Sequence, residues 1–253
     1  MKTHAFRRAR PCAVNPAGIP APAAGRVDWA NVATELDADG HAVMRGLLGP
    51  DACESMQAMY PEDGRFRSRV VMARHGFGRG EYKYFSYPLP AALQELRQEM
   101  YPHLATIANR WNAQMKVPVS FPARLEDFLE RCHQAGQRRP TPLLLQYGAG
   151  DYNCLHQDLY GEHVFPLQVA ILLSEPGRDF AGGEFVMTEN ATAGVSRATV
   201  IGLRQGDAIV FPVNHRPVAG RRADVRRVAM RHGVSRIREG RRYTVGIIFH
   251  DAM

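Results

Sequence analysis

His156 and Asp158 stand two residues apart in the stretch Cys154-Leu155-His156-Gln157-Asp158. On an extended segment, residues two apart point to the same side of the backbone. A neutral imidazole nitrogen and a carboxylate oxygen placed this way can grip one cation. Two histidines and one carboxylate on one face of an octahedron bind iron(II) and leave the opposite face open. The pair alone is a weak signal. With 10 histidines and 12 aspartates in 253 residues, chance supplies about 0.5 such triplets per chain.

Four downstream histidines could complete a triad: His163, His215, His232 and His250. His163 lies seven residues from His156 and requires a tight doubling back. His215 sits in Phe-Pro-Val-Asn-His-Arg-Pro, where Pro217 is expected to interrupt any strand, although Arg221 and Arg222 follow it. His163 and His250 read as surface or supporting groups. His232 is followed ten residues later by Arg242, at the head of the apolar run 243–249. An anionic co-substrate chelating a metal through one end needs a permanently charged fork for its distant carboxylate, and an arginine heading a core strand provides one. Arg241 is the rival, because neighbouring strand residues face opposite sides and only one can point inward.

Several elements must position these residues. After Pro142 the chain breaks into short apolar or alternating runs punctuated by glycine, at 143–147, 164–173, 183–187, 198–203, 208–213 and 243–249. Six such runs without helical periodicity between them predict a β-sandwich of the jelly-roll kind. Earlier, residues 27–36 carry apolar side chains at helical spacing, with Gly40 as the stop. Residues 41–48 read as a strand, and Asp51 as the N-cap of a helix reaching about Tyr60. Leu93, Leu96, Met100, Leu104, Ile107 and Trp111 predict a long helix that buttresses a sheet, and a shorter one covers 125–132. Between them, 66–72 and 82–87 read as a hairpin whose glycine-rich loop, 76–80, could act as a lid.

Composition bounds the rest. A chain of 253 residues with 45% apolar content suits one large domain: a flexible tail over 1–26, helix-rich support and lid over 27–140, and the catalytic core over 141–253. No run approaches the length of a membrane span. Arg7, Arg8 and Arg10 precede a Pro/Ala/Gly stretch without the apolar segment of a secretory signal, which points to a cytoplasmic protein. Cys12, Cys53, Cys132 and Cys154 are widely spaced, so buried thiols are expected and Cys154 is assigned to the core. The net charge of +7 concentrates between Arg216 and Arg242, where ten arginines meet only Asp224 and Glu239. A basic face of that density suits a phosphate-bearing partner.

The order of the segments 147–158, Gly182-Gly183-Glu184-Phe185, 206–211 and 232–249 resembles the iron(II)/2-oxoglutarate-dependent dioxygenases, and most closely their prolyl-hydroxylase-like branch. Arg-His-Gly-Val-Ser and Gly-Ile-Ile-Phe-His-Asp also resemble a bacterial oxygenase group with a proposed role in modifying nucleic acids. The resemblance covers about 110 C-terminal residues. It implies a double-stranded β-helix with flanking helices (α+β), His156, Asp158 and His232 as iron ligands, Arg242 on the far carboxylate of 2-oxoglutarate, and a Tyr147 hydroxyl on the same co-substrate. It also implies O2 as oxidant, ascorbate as a stimulant, and succinate and CO2 as products. For the substrate, nucleic acid is the first expectation and a protein side chain such as proline the second, with a small molecule as the remaining option. A jelly-roll metal protein that isomerises, hydrolyses or senses a ligand is the reading from another class.

Overall fold

The structure, a computed structural model, describes residues 27–159, 161–192, 195–220 and 224–253. The expected tail, Cys12, Arg221 and Arg222 lie outside the described residues. Four helices are present among these: α1 (Trp29–Asp39), α2 (Pro50–Ala58), α3 (Ala91–Gln114) and α4 (Leu125–Gln134). None is long and apolar enough to cross a membrane. Asp28 caps α1 by accepting the Asn31 N–H, and Gly40 ends it at φ 73°. Asp51 is not the cap of α2. Gly49 takes that place without a side-chain bond, Pro50 follows at the first helical position, and Asp51 lies in the first turn.

Fourteen strands follow among the described residues: β1 (Ala42–Met44), β2 (Phe66–Val71), β3 (Gly78–Arg79), β4 (Glu81–Phe85), β5 (Leu143–Gly148), β6 (Tyr152–His156), β7 (Leu167–Leu172), β8 (Phe180–Gly182), β9 (Phe185–Thr192), β10 (Val195–Ile201), β11 (Ala208–Pro212), β12 (His215–Ala219), β13 (Val225–Val234) and β14 (Ile237–Ile247). The larger sheet runs β1-β11-β7-β14-β5-β4-β2, with β8 on β14. The smaller runs β10-β9-β13-β6-β3, with β12 on β13. From β5 onward the chain crosses repeatedly between the two sheets, at β5–β6, β6–β7, β8–β9, β10–β11, β11–β12 and β13–β14, which is the jelly-roll winding the short runs predict.

The sheets differ in how they are covered. On β7, Leu167, Val169 and Ile171 pack with the helices, while Ala170 and Leu172 face the inter-sheet core. A strand buried on both faces reads as a near-continuous apolar run, as β7, β11 and the last residues of β14 do. The smaller sheet turns one face to solvent, as β13 shows, where buried Val228, Met230 and His232 alternate with exposed Arg227 and Arg231. Its strands β6, β12 and β13 carry Cys154, His215 and Arg231 on that face, so apolar runs do not mark them. Pro217 does not interrupt β12, whose strand pairing is with β13 alone, and an edge strand tolerates a missing N–H. Cys154 is exposed rather than in the core, because it stands on the solvent face of β6, next in sequence to the cavity-lining Asn153.

The buttress is tied to the sheet by charge as well as apolar area. Arg97 on α3 is fully buried, donating to the Ile248 carbonyl at 3.0 Å and to Asp251 at 3.0 Å. Asp251 also accepts from the Tyr87 hydroxyl and meets His133 Nε2 at 2.8 Å. Next to it, His250 is 1% exposed and its Nδ1 accepts the Phe165 N–H. Burial, reinforced by Arg97, pushes its pKa down to about 4. A histidine held neutral in the fold but free to protonate when unfolded favours unfolding at low pH. Stability should therefore be full above pH 6.5 and fall by about 3 kcal/mol in total as pH drops toward 4. Urea titrations across that range should show this slope, and His250→Gln should flatten it.

Candidate active site

The two histidines of interest are cross-strand partners: His232 on β13 pairs with His156 on β6. Both therefore stand on the inner face of the smaller sheet, with ring centroids 4.3 Å apart. Between His232 and Val234 on one strand, and His156 and Asn153 on the other, the register shifts. This bulge gives β6 an extra residue and lets Asn153 and His156 both line the cavity. Gly233 sits at the bulge, where a Cβ would lie 2.7 Å from the Asn153 carbonyl. Any larger residue there would push the two strands apart.

Asp158 follows β6 and closes the group. Its two oxygens lie 3.4 Å from His156 Nε2 and 3.4 Å from His232 Nε2. One ligand atom from each of the three residues falls within 4.8 Å of the others. Burial would raise the Asp158 carboxyl, yet hydrogen bonds from the two histidines hold it well below the usual carboxylate range. Burial lowers His232. For His156 burial acts in the same direction but is outweighed by the Asp158 hydrogen bond and charge, so its pKa rises. His156 Nδ1 meets the Cys154 carbonyl at 2.8 Å, which turns Nε2 toward the cavity, as an outer partner does for a metal-bound histidine. His232 is clamped between Phe211, at 4.5 Å, and Phe185, at 6.0 Å. Gln157 holds the turn itself, donating to the Asn214 and Met230 carbonyls at 2.9 Å each.

Arg242 lies across the cavity on the larger sheet, 2% exposed and well inside β14 rather than at its head. Its register partner is Tyr147 on β5, so the two side chains share the inner face. Arg241 is exposed. Arg242 Nη1 donates to the Thr244 hydroxyl at 2.5 Å, while Arg242 Nε and the Tyr147 hydroxyl are buried without a hydrogen-bond partner. Among the described residues, no carboxylate lies within ion-pair distance of this guanidinium. Burial pulls its pKa down to about 10 from 12.5. Gly183, at φ 66°, leaves room for its stem: a Cβ there would come within 3.0 Å of Arg242 Cδ and 2.2 Å of Ile237 Cδ1. The donor set fits a metal and an anionic chelator: three convergent hard ligands on one wall, and an unpaired cation with a free hydroxyl on the other.

Other residues fall elsewhere. His215 is at 3.3 Å from Arg227, outside the metal group. His163 and His250 are not part of the group, and His250 is fully buried rather than at the surface. The basic segment is not one face. Arg216 is buried against Glu189 at 2.6 Å and caps the carbonyl end of α1 at Asp37 and Ala38; Arg242 is in the cavity. Arg231, Arg236, Arg238 and Arg241 are exposed. The 76–80 loop is docked, since β3 pairs with β6, and Met72, Phe77, Tyr82 and Tyr84 reach the cavity. Thr244 escaped notice in the sequence, although its place two residues after Arg242 puts it on the same face. Gln157 and Asn153 carried no signal there.

Because Arg242 is charged, buried and unpaired, Arg242→Met should raise stability by about 1–3 kcal/mol. The same variant should lose dicarboxylate binding while retaining metal binding. Paired thermal melts and calorimetric titrations would check both.

A family model described as "Oxygenase, catalysing oxidative methylation of damaged DNA" matches residues 80–252. An uncharacterized protein of Mycobacterium tuberculosis is 45% identical over 190 residues, covering 75% of this chain and 78% of that protein. Among solved structures, an oxidoreductase of the 2-oxoglutarate–Fe(II) oxygenase family from Burkholderia pseudomallei superposes with TM-score 0.51 at 14% identity, over 95% of each chain. A Pseudomonas putida prolyl-4-hydroxylase gives 0.48 at 13% identity, over 89% of this chain and 99% of its own. The fold is the jelly roll of the 2-oxoglutarate oxygenases, and the chain belongs to the Oxygenase-NA family of oxygenase enzymes.

Proposed function

We propose that this enzyme holds iron(II) with His156, Asp158 and His232 and 2-oxoglutarate with Arg242, and oxidises a C–H bond of a modified base in nucleic acid. The observation that carries the reading is Arg242. A permanent charge buried without a counter-ion is costly unless a ligand supplies one, and this one faces the cavity that also holds the His-Asp-His group. When bound, the metal would activate O2, which oxidises the 2-oxo acid to succinate and CO2 with one oxygen atom and the substrate C–H bond with the other. Arg242 pairs with the far carboxylate, and Thr244 orients the guanidinium by accepting one of its hydrogens. Tyr147 donates its hydroxyl to the same ligand. Leu143, Leu145 and Ala170 line the walls and keep water away from the reacting centre.

Residues 27–253 act in this reading as one catalytic domain, since β1, β2 and β4 from the helix-rich half complete the larger sheet. Nucleic acid as substrate is supported by the family description and by the exposed arginines 231, 236, 238 and 241, with Arg236 placed 5.9 Å from the Tyr152 ring. Arg242 argues against a hydrolase, which has no use for a buried fork beside the metal.

Purified protein given iron(II), ascorbate and 2-oxoglutarate should release succinate, and His156→Ala should abolish the release; iron-independent turnover sinks the proposal. Binding to single-stranded oligonucleotides should weaken steeply with salt. A titration at low salt that shows no binding, alongside turnover of a proline peptide, transfers the substrate assignment to protein.

A further inference from the structure

The larger sheet sets a scale along the cavity. Its inner face is ruled in cross-strand rows: Arg242 with Tyr147, Thr244 with Leu145 and Leu172, and Gly246 with Leu143 and Ala170. Rows on one face are two residues, or about 7 Å, apart. One row further along β7 stands Gln168, paired with Phe211 on β11. It therefore lies about 20 Å of sheet from the Arg242 row, beyond the reach of a five-carbon acid anchored there. Phe211 is also the ring that touches His232, so Gln168 borders the part of the cavity next to the metal group and away from the co-substrate end.

Gln168 is 5% exposed, lines the cavity and has a buried Nε2 with no hydrogen-bond partner. Folding rarely leaves an amide donor in that condition unless something else completes it. Its surroundings are aromatic. Tyr84, in the row of Leu143, Tyr82 and Phe211 line the same cavity, and Phe77 lies at its solvent side, 41% exposed. Flat apolar faces with one amide are the chemistry that receives a planar heterocycle: rings stack on it, and a glutamine pairs with a donor and acceptor on a base edge.

We propose that Gln168 reads the edge of the base presented for oxidation, donating its Nε2 hydrogen to a ring nitrogen or carbonyl of that base, and so sets base preference. This rests on the nucleic-acid reading above. Gln168 has no part in holding the metal or the 2-oxo acid.

The test uses the full-length protein with iron(II) and 2-oxoglutarate, and single-stranded oligonucleotides carrying one N-methylated adenine, one N-methylated cytosine, or none. Gln168→Leu, Gln168→Asn and Gln168→Glu are compared with the wild type by circular dichroism, by 2-oxoglutarate affinity, by succinate release without oligonucleotide, and by oligonucleotide oxidation. In Gln168→Leu the first three should persist while kcat/KM for the oligonucleotide falls roughly tenfold to a hundredfold. Gln168→Asn should recover part of that loss. Gln168→Glu, which offers acceptors in place of the donor, should lose at least as much as Gln168→Leu on a base that presents an acceptor to Nε2. Unchanged kcat/KM and base preference in Gln168→Leu overturns this inference alone. Loss of 2-oxoglutarate affinity in that variant also overturns it, because it moves Gln168 to the co-substrate. A wild-type enzyme that releases succinate but oxidises none of the oligonucleotides overturns the nucleic-acid reading and this inference together.

Discussion

A cation buried without an anion governs the arrangement of this protein. Desolvating a guanidinium opposes folding, and Arg242 is desolvated with only a hydroxyl, Thr244, to accept from it. The fold tolerates this because the arginine is fixed in the middle of β14, with β5 on one side and β7 on the other. Neither the strand nor the side chain can swing the charge to water. The same rigidity places Tyr147 and Thr244 beside it in fixed register, so the binding surface for an anion exists before the anion arrives.

The opposite wall is built by a different device. His156 and His232 come from strands far apart in the chain and meet because β6 and β13 are neighbours. A bulge, a glycine at the crossing and the Gln157 amide together aim three side chains at one point. Helices contribute to this from a distance. They cover the outer face of the larger sheet, and the buried Arg97–Asp251 pair ties α3 to the chain just beyond β14.

The two sheets were unequally legible from sequence. Strands covered on both faces announce themselves as apolar runs, and β7, β11 and the last residues of β14 are of this kind. Strands β6, β12 and β13 have one wet face bearing Arg231, His215 or Cys154, and pass for loops. That is also why Pro217 suggested a break that an edge strand does not suffer, and why Cys154 was assigned to the core. Asp51 illustrates the local version of the same limit: a capping residue type beside Gly49-Pro50 cannot reveal which of the three begins the helix.

By itself the chain determined the chemistry available: a histidine and an aspartate in alternation, a distal histidine, an arginine ten residues after it, and a tyrosine ahead of them. These depend on residue type and spacing, which a linear order contains. Only the tertiary structure decided that Arg242 rather than Arg241 faces inward, that Arg216 is spent on Glu189 and the end of α1, and that Gln168 Nε2 is left without a partner in the cavity, away from the Arg242 row. Each of those outcomes depends on strand register, where a shift of one residue exchanges inside for outside, and register is set by partners distant in sequence.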